Sequence, residues 1–191
     1  MDLSDEDLAK RARAGDASAY GELVARHDAR IYRVCLRIIG NPEDAGDAAQ
    51  DAIVSGLRTI RSFRGDAAFT TWMHRIAVNA SYDLIRRRRR QPMLHVVGDD
   101  GWEMEPGPPV ADHADEIVGT ISVAAALAQV PKEFRAALVL ADVEDVPYQQ
   151  IAAILGVAIG TVKSRVHRGR AALGRALGEP DPLSRSSEEE A

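Results

Sequence analysis

Residues Tyr148 to Arg170 read YQQIAAILGVAIGTVKSRVHRGR, and this stretch decides the fold. A short helical pattern stops at Gly156, and a longer one resumes near Ile159. Ala152 falls where the two helices cross and a small side chain is needed. Ile151, Leu155, Val157, Val162 and Val166 close an apolar wedge between them. A helix, a tight turn and a second helix that enters the DNA major groove form a helix-turn-helix. Helical geometry assigns the faces. With Val162 inward, Val166 and Leu173 share its side; Ser164, His167, Arg168 and Ala171 face outward, and Thr161 and Lys163 flank them. Arg168 and Lys163 suit guanine O6 and N7, and Ser164 can donate or accept. Arg165 and Arg170 point sideways, toward phosphates. A plain basic surface helix needs neither the turn nor the wedge.

Working outward, the composition fits a helical protein. Of 191 residues, 46% are hydrophobic but only 5% aromatic, so cores of Ala, Val, Leu and Ile are expected. The single cysteine, Cys35, can form no internal disulfide and reads as a buried small hydrophobe. The acidic start Met1–Asp7 is unlike a signal peptide. No apolar run approaches the ~20 residues of a membrane helix. A cytoplasmic protein without membrane insertion is expected.

The net charge of −5 conceals strong segregation. Residues 61–90 carry eight Arg against Asp66 and Asp83. Residues 156–177 carry Lys163, Arg165, Arg168, Arg170 and Arg175 without an acid. Between them, residues 97–120 hold seven acids and no Lys or Arg.

The pattern along the chain is all-α. A helix opens at Ser4, with Asp7 completing a capping arrangement. After Gly15-Asp16, a long helix runs from Ala17 to the stop at Gly40-Asn41-Pro42. Pro42 opens an acidic third helix that runs to about Ile60. A turn at Phe63–Asp66 leads to a fourth helix, about Thr70 to Arg90. Residues 91–115, rich in Pro, Gly and acids, read as a flexible linker. Helix resumes near Asp115, with Ile117, Ile121, Ala124, Ala125 and Leu127 as its apolar face. Pro131 starts the next helix. The expected architecture is two small helical domains, 1–90 and 116–177, joined by the acidic linker 91–115 and followed by a disordered acidic tail, 178–191.

Two further groups stand out in the first domain. Phe63, Arg64, Gly65 and Phe69 mark a loop that can approach a flipped base, and Arg75 and Asn79 lie one helical turn apart beside it. Unstacked bases are held by basic surfaces and aromatic contacts; Trp72 reads either as such a contact or as core, and Phe69 could be core with it. Arg86 and Arg87 begin a run of five Arg suited to phosphates. Asp47, Gln50 and Asp51 gather on the third helix, suited to a basic partner or to the helix's own dipole. Enzymatic motifs are absent: the five His are scattered, and no phosphate loop, nucleophile elbow or metal cluster occurs. No cofactor or metal is expected.

Residues 127–173, with Pro131, the turn Val143–Val146 and the run Gly160–Arg168, closely resemble region four of the extracytoplasmic-function (ECF) sigma factors of the sigma-70 family. Ala158 departs from the Pro or Ser usual before the recognition helix, a loss of about 1 kcal/mol. Residues 17–90 resemble region two, with Gly46 in place of a usual acid. The resemblance implies that Asp47, Gln50 and Asp51 dock on core RNA polymerase. It implies that the Phe63–Asn79 segment captures the melted −10 promoter element and that the second helix of the motif reads the −35 duplex. It further implies an anti-sigma protein as partner and a chain that is monomeric when free. A dimeric helix-turn-helix regulator is the alternative; it explains residues 127–175 but not residues 17–90.

Overall fold

The computed structural model describes residues 3–90 and 123–178. Among these residues the fold is all-α: eight helices and one 3-10 turn. The expected linker 91–115, the helix start near Asp115 with Ile117 and Ile121, and nearly all of the tail lie outside the described residues.

The first unit contains α1 (Asp5–Arg13), α2 (Ala17–Ile39), α3 (Pro42–Thr59), a 3-10 turn (Ile60–Ser62) and α4 (Phe69–Arg90). Its helix starts are written in side chains. Ser4 Oγ accepts from the Asp7 N–H at 3.1 Å, Asp16 Oδ1 from Ala19 at 3.1 Å and Asn41 Oδ1 from Asp44 at 2.9 Å. Each satisfies an amide that the helix itself leaves without a partner. Gly40, at φ +87°, ends α2 in the left-handed region.

α3 turns a face of small residues inward: Ala45, Ala48, Ala49, Ala52 and Gly56. This lets α2 and α4 approach it closely. The Tyr20 hydroxyl donates to the Ile53 carbonyl at 2.7 Å, and burial pushes its pKa up to about 12. Cys35 is buried, as expected, and desolvation raises its thiol to about 11.

The second unit contains α5 (Val123–Gln129), α6 (Lys132–Asp142), α7 (Tyr148–Leu155) and α8 (Ile159–Ala176). Leu127, Val130, Leu138 and Val139 form its own apolar cluster, with Phe134, Ala172 and Leu173 against it. Ala124 faces solvent rather than the core, and Ala126 takes the inward place, because α5 is oriented by Leu127 and Val130.

The two units are packed against each other. Leu140, Val146, Ile151, Ile154, Val162 and Val166 belong to the same buried cluster as the core of α1 to α4. α2 lies against α5 and α6, and α4 against α7. Polar contacts lace the seam. The buried Arg135 guanidinium donates to the Ile38 carbonyl at 2.8 Å and to Val130 and Ala128 within its own unit. The Tyr82 hydroxyl donates to the Lys132 carbonyl at 3.2 Å. Hydrophobic periodicity showed apolar faces on several helices but carried no information about this seam.

A Cβ at Gly56 would overlap the Tyr20 hydroxyl and come within 3.0 Å of Met73 Sδ. Gly56→Ala is therefore expected to destabilise the protein by about 1–3 kcal/mol through overpacking, read as a lower urea midpoint at unchanged slope.

Candidate nucleic-acid interface

The helix-turn-helix forms as α7, a turn and α8. Gly156, at φ +64°, closes α7 with its N–H bonded to the Ala152 carbonyl. Ala158 gives α8 no side-chain cap. Ile151, Ile154, Val162 and Val166 are buried; Ala152, Leu155 and Val157 are half-buried. Lys163, Ser164, His167 and Arg168 are exposed together, with Thr161 and Arg165 half-buried at the margin.

Ala171 departs from the expected outward face: it is buried, because the C-terminal part of α8 is enclosed by more than one neighbour. Ala172 and Leu173 pack on the α5–α6 cluster, and Gly169 presses on Leu138, where a Cβ would come to 3.2 Å.

Several basic side chains are already oriented. The Arg168 guanidinium stands 5.9 Å from the Phe134 ring centroid, a cation–π arrangement. Arg170 donates from Nε and Nη2 to both oxygens of Asp142, at 2.8 and 2.7 Å. That carboxylate raises the Arg170 pKa further, so a phosphate at Arg170 would have to share the guanidinium with α6. The Ser164 hydroxyl is turned back onto the Thr161 carbonyl at 2.9 Å.

In the first unit, Gly65 at φ +81° turns the loop between the 3-10 segment and α4. Phe63, Phe69 and Trp72 are all buried in one aromatic cluster, with centroids 5.3 to 6.2 Å apart. Phe63, Arg64, Gly65, Trp72 and Arg75 line a cavity of about 270 Å³. Phe69 does not line it. Its ring sits among Tyr20, His27, Phe63 and Trp72, so it supports the loop from beneath rather than offering a face to a base. Trp72 does both: it is buried and it lines the cavity.

Arg75 and Asn79 are exposed on α4 and continue into a larger groove, about 960 Å³, between α3 and α4. Arg86 and Arg87 line it from α4; Ser55, Arg58 and Thr59 line it from α3. These last three were missed in the sequence. Their only signal was a polar i, i+3, i+4 set on α3, which any solvated face would also show.

Asp47 and Gln50 are exposed on α3. Asp51 accepts from Arg87 at 2.8 Å, and Asp44 from Arg88 at 2.5 Å. Arg86 pairs with Asp83. One acid expected to dock on a partner, Asp51, and one arginine expected on phosphates, Arg87, thus neutralise each other across 36 residues of sequence. Surface pairs of this kind exchange readily.

One buried polar cluster was not foreseen. Glu144, with 4% of its side chain exposed, accepts from Arg30 Nε at 2.5 Å, and Arg30 also donates to the Glu144 carbonyl at 3.1 Å. His74 Nε2 lies 3.7 Å from the same carboxylate, and neither ring nitrogen makes a hydrogen bond. Burial lowers the His74 pKa to about 4, against the opposing pull of Glu144. Among the described residues, no cluster could hold a metal ion, and no helix is long and apolar enough to cross a membrane.

The profile of Sigma-70 region 2 matches residues 23–91, and that of Sigma-70, region 4 matches residues 120–173. The ECF RNA polymerase sigma factor SigM of Mycobacterium tuberculosis is 41% identical over 175 residues, covering 92% of this chain and 85% of SigM. The chain belongs to the ECF sigma factors. The RNA polymerase sigma-H factor of Pseudomonas aeruginosa is 34% identical, covering 96% of this sigma factor and 97% of its own length. The structure is similar to that of the sigma factor RpoE of Bartonella quintana, solved with the anti-sigma factor NepR, at a TM-score of 0.66 and 26% identity. That match covers 83% of this chain and 96% of RpoE. CnrH, solved with the cytosolic domain of CnrY, gives 0.64 and 27%, covering 91% and 97%. In this sigma factor the region 2 match spans most of α2 with α3 and α4, and the region 4 match spans α5 to α7 and α8 as far as Leu173.

Because the folded His74 pKa lies near 4, below the ordinary 6.5, the unfolded chain binds more protons between those values, and stability rises with pH across that window. Acidification from pH 6.5 to 4 is expected to remove about 3 kcal/mol through this residue. In urea titrations at stepped pH, a His74→Leu variant should lack that component of the slope.

Proposed function

We propose that this chain is an alternative sigma factor that carries core RNA polymerase to promoters by reading a −35 duplex with α8 and a melted −10 element with the Phe63–Asn79 surface. The observation that carries this reading is the pairing of a helix-turn-helix with a separate basic groove that leads to an aromatic-floored cavity. A duplex reader needs only the first. Single-stranded bases call for the second. A dimeric helix-turn-helix regulator leaves that groove unused.

In this reading Lys163 and Arg168 contact base edges, with Ser164, His167 and Thr161 beside them, and Arg165 and Arg170 hold phosphates. Arg64, Gly65, Arg75 and Asn79 receive the displaced strand. Phe63 and Trp72 floor the cavity, and Arg86 and Arg87 guide the backbone. Asp47, Gln50 and Asp51 meet a basic surface of the polymerase. Docking there releases Arg87 from Asp51, so one event frees both an acid for the polymerase and a cation for DNA. The complexes of RpoE with NepR and of CnrH with CnrY support an anti-sigma protein as a further partner here. Action on chromosomal DNA makes the cytoplasm its place of work.

Gel filtration with bacterial core polymerase, followed by transcription of fragmented genomic DNA by the eluted complex, tests the reading. Co-elution and discrete new transcripts are expected. A protein that ignores polymerase and binds a palindrome as a dimer would establish the alternative. On a promoter so identified, Arg168→Ala should lose about 1–3 kcal/mol of −35 binding and relax specificity at one base pair. Arg165→Ala should weaken all sequences evenly and lower the salt slope by about 1.

A further inference from the structure

The cavity beneath the Phe63–Ala67 loop is not open to approach from every side. Gln150, Ala153 and Ile154 of α7, in the second unit, form one of its walls, and Thr71 Oγ1 donates to Gln150 Oε1 across it at 3.1 Å. We propose that the second unit is a lid on the base-capture cavity of the first, held shut by the insertion of Glu144 between Arg30 and His74, so that the free protein excludes single-stranded DNA until the seam opens. This rests on the assignment of that cavity to the −10 element and adds how access to it is controlled.

The chemistry of the seam fits a catch that opens. Glu144 is carried on the turn after α6 and is buried only because the units are together: its ion-pair partner, Arg30, belongs to α2. A purely apolar seam of the same extent would carry no polar desolvation cost. Here a carboxylate and the neutral His74 ring must be desolvated, and a buried ion pair recovers little net energy for that cost. The closed state is thereby kept shallow. Parting the units rehydrates Glu144, His74 and the Arg135 guanidinium together and removes α7 from the cavity in the same motion. A partner that binds the open arrangement better shifts the population by its differential affinity.

The closure is selective. Lys163, Ser164, His167 and Arg168 remain exposed on α8 while α7 walls one side of the cavity. The closed protein therefore keeps its duplex-reading face and loses its single-strand site.

The test uses the full chain, with a fluorescent random-sequence single-stranded 12-mer and its duplex counterpart as probes. Glu144→Gln weakens the catch while conserving shape. If about nine molecules in ten are closed, it should tighten single-strand binding by up to tenfold, leave duplex binding unchanged and leave core-dependent transcription unchanged. Equal single-strand affinities for wild type and variant would overturn the lid. A disulfide lock gives a second reading independent of the variant's stability. Thr71→Cys with Gln150→Cys places two thiols where the side chains now meet. The oxidised protein should lose both single-strand binding and transcription with core polymerase, and recover both on reduction. Equal activity in the two redox states would also overturn the lid, whereas absence of transcription by the wild type would instead overturn the sigma-factor reading.

Discussion

Helix α2 ends with carbonyls that its own ladder cannot pair, and the seam between the two units depends on how they are satisfied. Gly40 turns back to take the Leu36 carbonyl, but the Ile38 carbonyl is met from 97 residues away by Arg135. A guanidinium buried there has its charge desolvated, which lowers its pKa, and it is tolerable only because three backbone carbonyls receive its protons. That requirement fixes α5 and α6 against the end of α2. With α5 and α6 placed there, α7 lies along α4, beside the loop that lines the cavity.

The charges show the same economy of placement. The chain segregates its arginines and acids in sequence, yet the fold brings many of them together: Asp51 with Arg87, Asp44 with Arg88, Asp142 with Arg170 and Glu144 with Arg30. The first three are at the surface, where water and salt screen them and a polyanion or a basic protein can compete. The fourth is nearly dry on the Glu144 side. The difference in burial separates groups that can be exchanged one at a time from a group that changes only when two helical units part.

Much of the fold was legible from one end of the sequence to the other. Ser4, Asp16 and Asn41 with Pro42 marked helix starts, and Gly40 and Gly156 marked stops, because capping chemistry is local and acts within a turn of its own position. The helix-turn-helix was legible for the same reason: the spacing from Ile151 to Val166 contains the wedge, the turn and the outward face. What local spacing left open was of another kind. Phe69 read either as a base contact or as core, because an aromatic beside a glycine loop looks the same whether its ring points up or down. Ala171 read as outward because a single inward residue defines only one covered side, and α8 has more than one.

The sequence by itself determined that this chain is helical, where most helices begin and end, and that it carries a duplex-reading motif beside a second basic segment. Those features follow from interactions within a few residues, with periodicities of 3.6. Only the tertiary structure decided that α7 walls the cavity, that Arg87 rests on Asp51, and that Glu144 is buried against Arg30 and His74. These contacts join residues 36 to 114 positions apart. No local pattern encodes which of several apolar faces meet, because burial rewards any that fit.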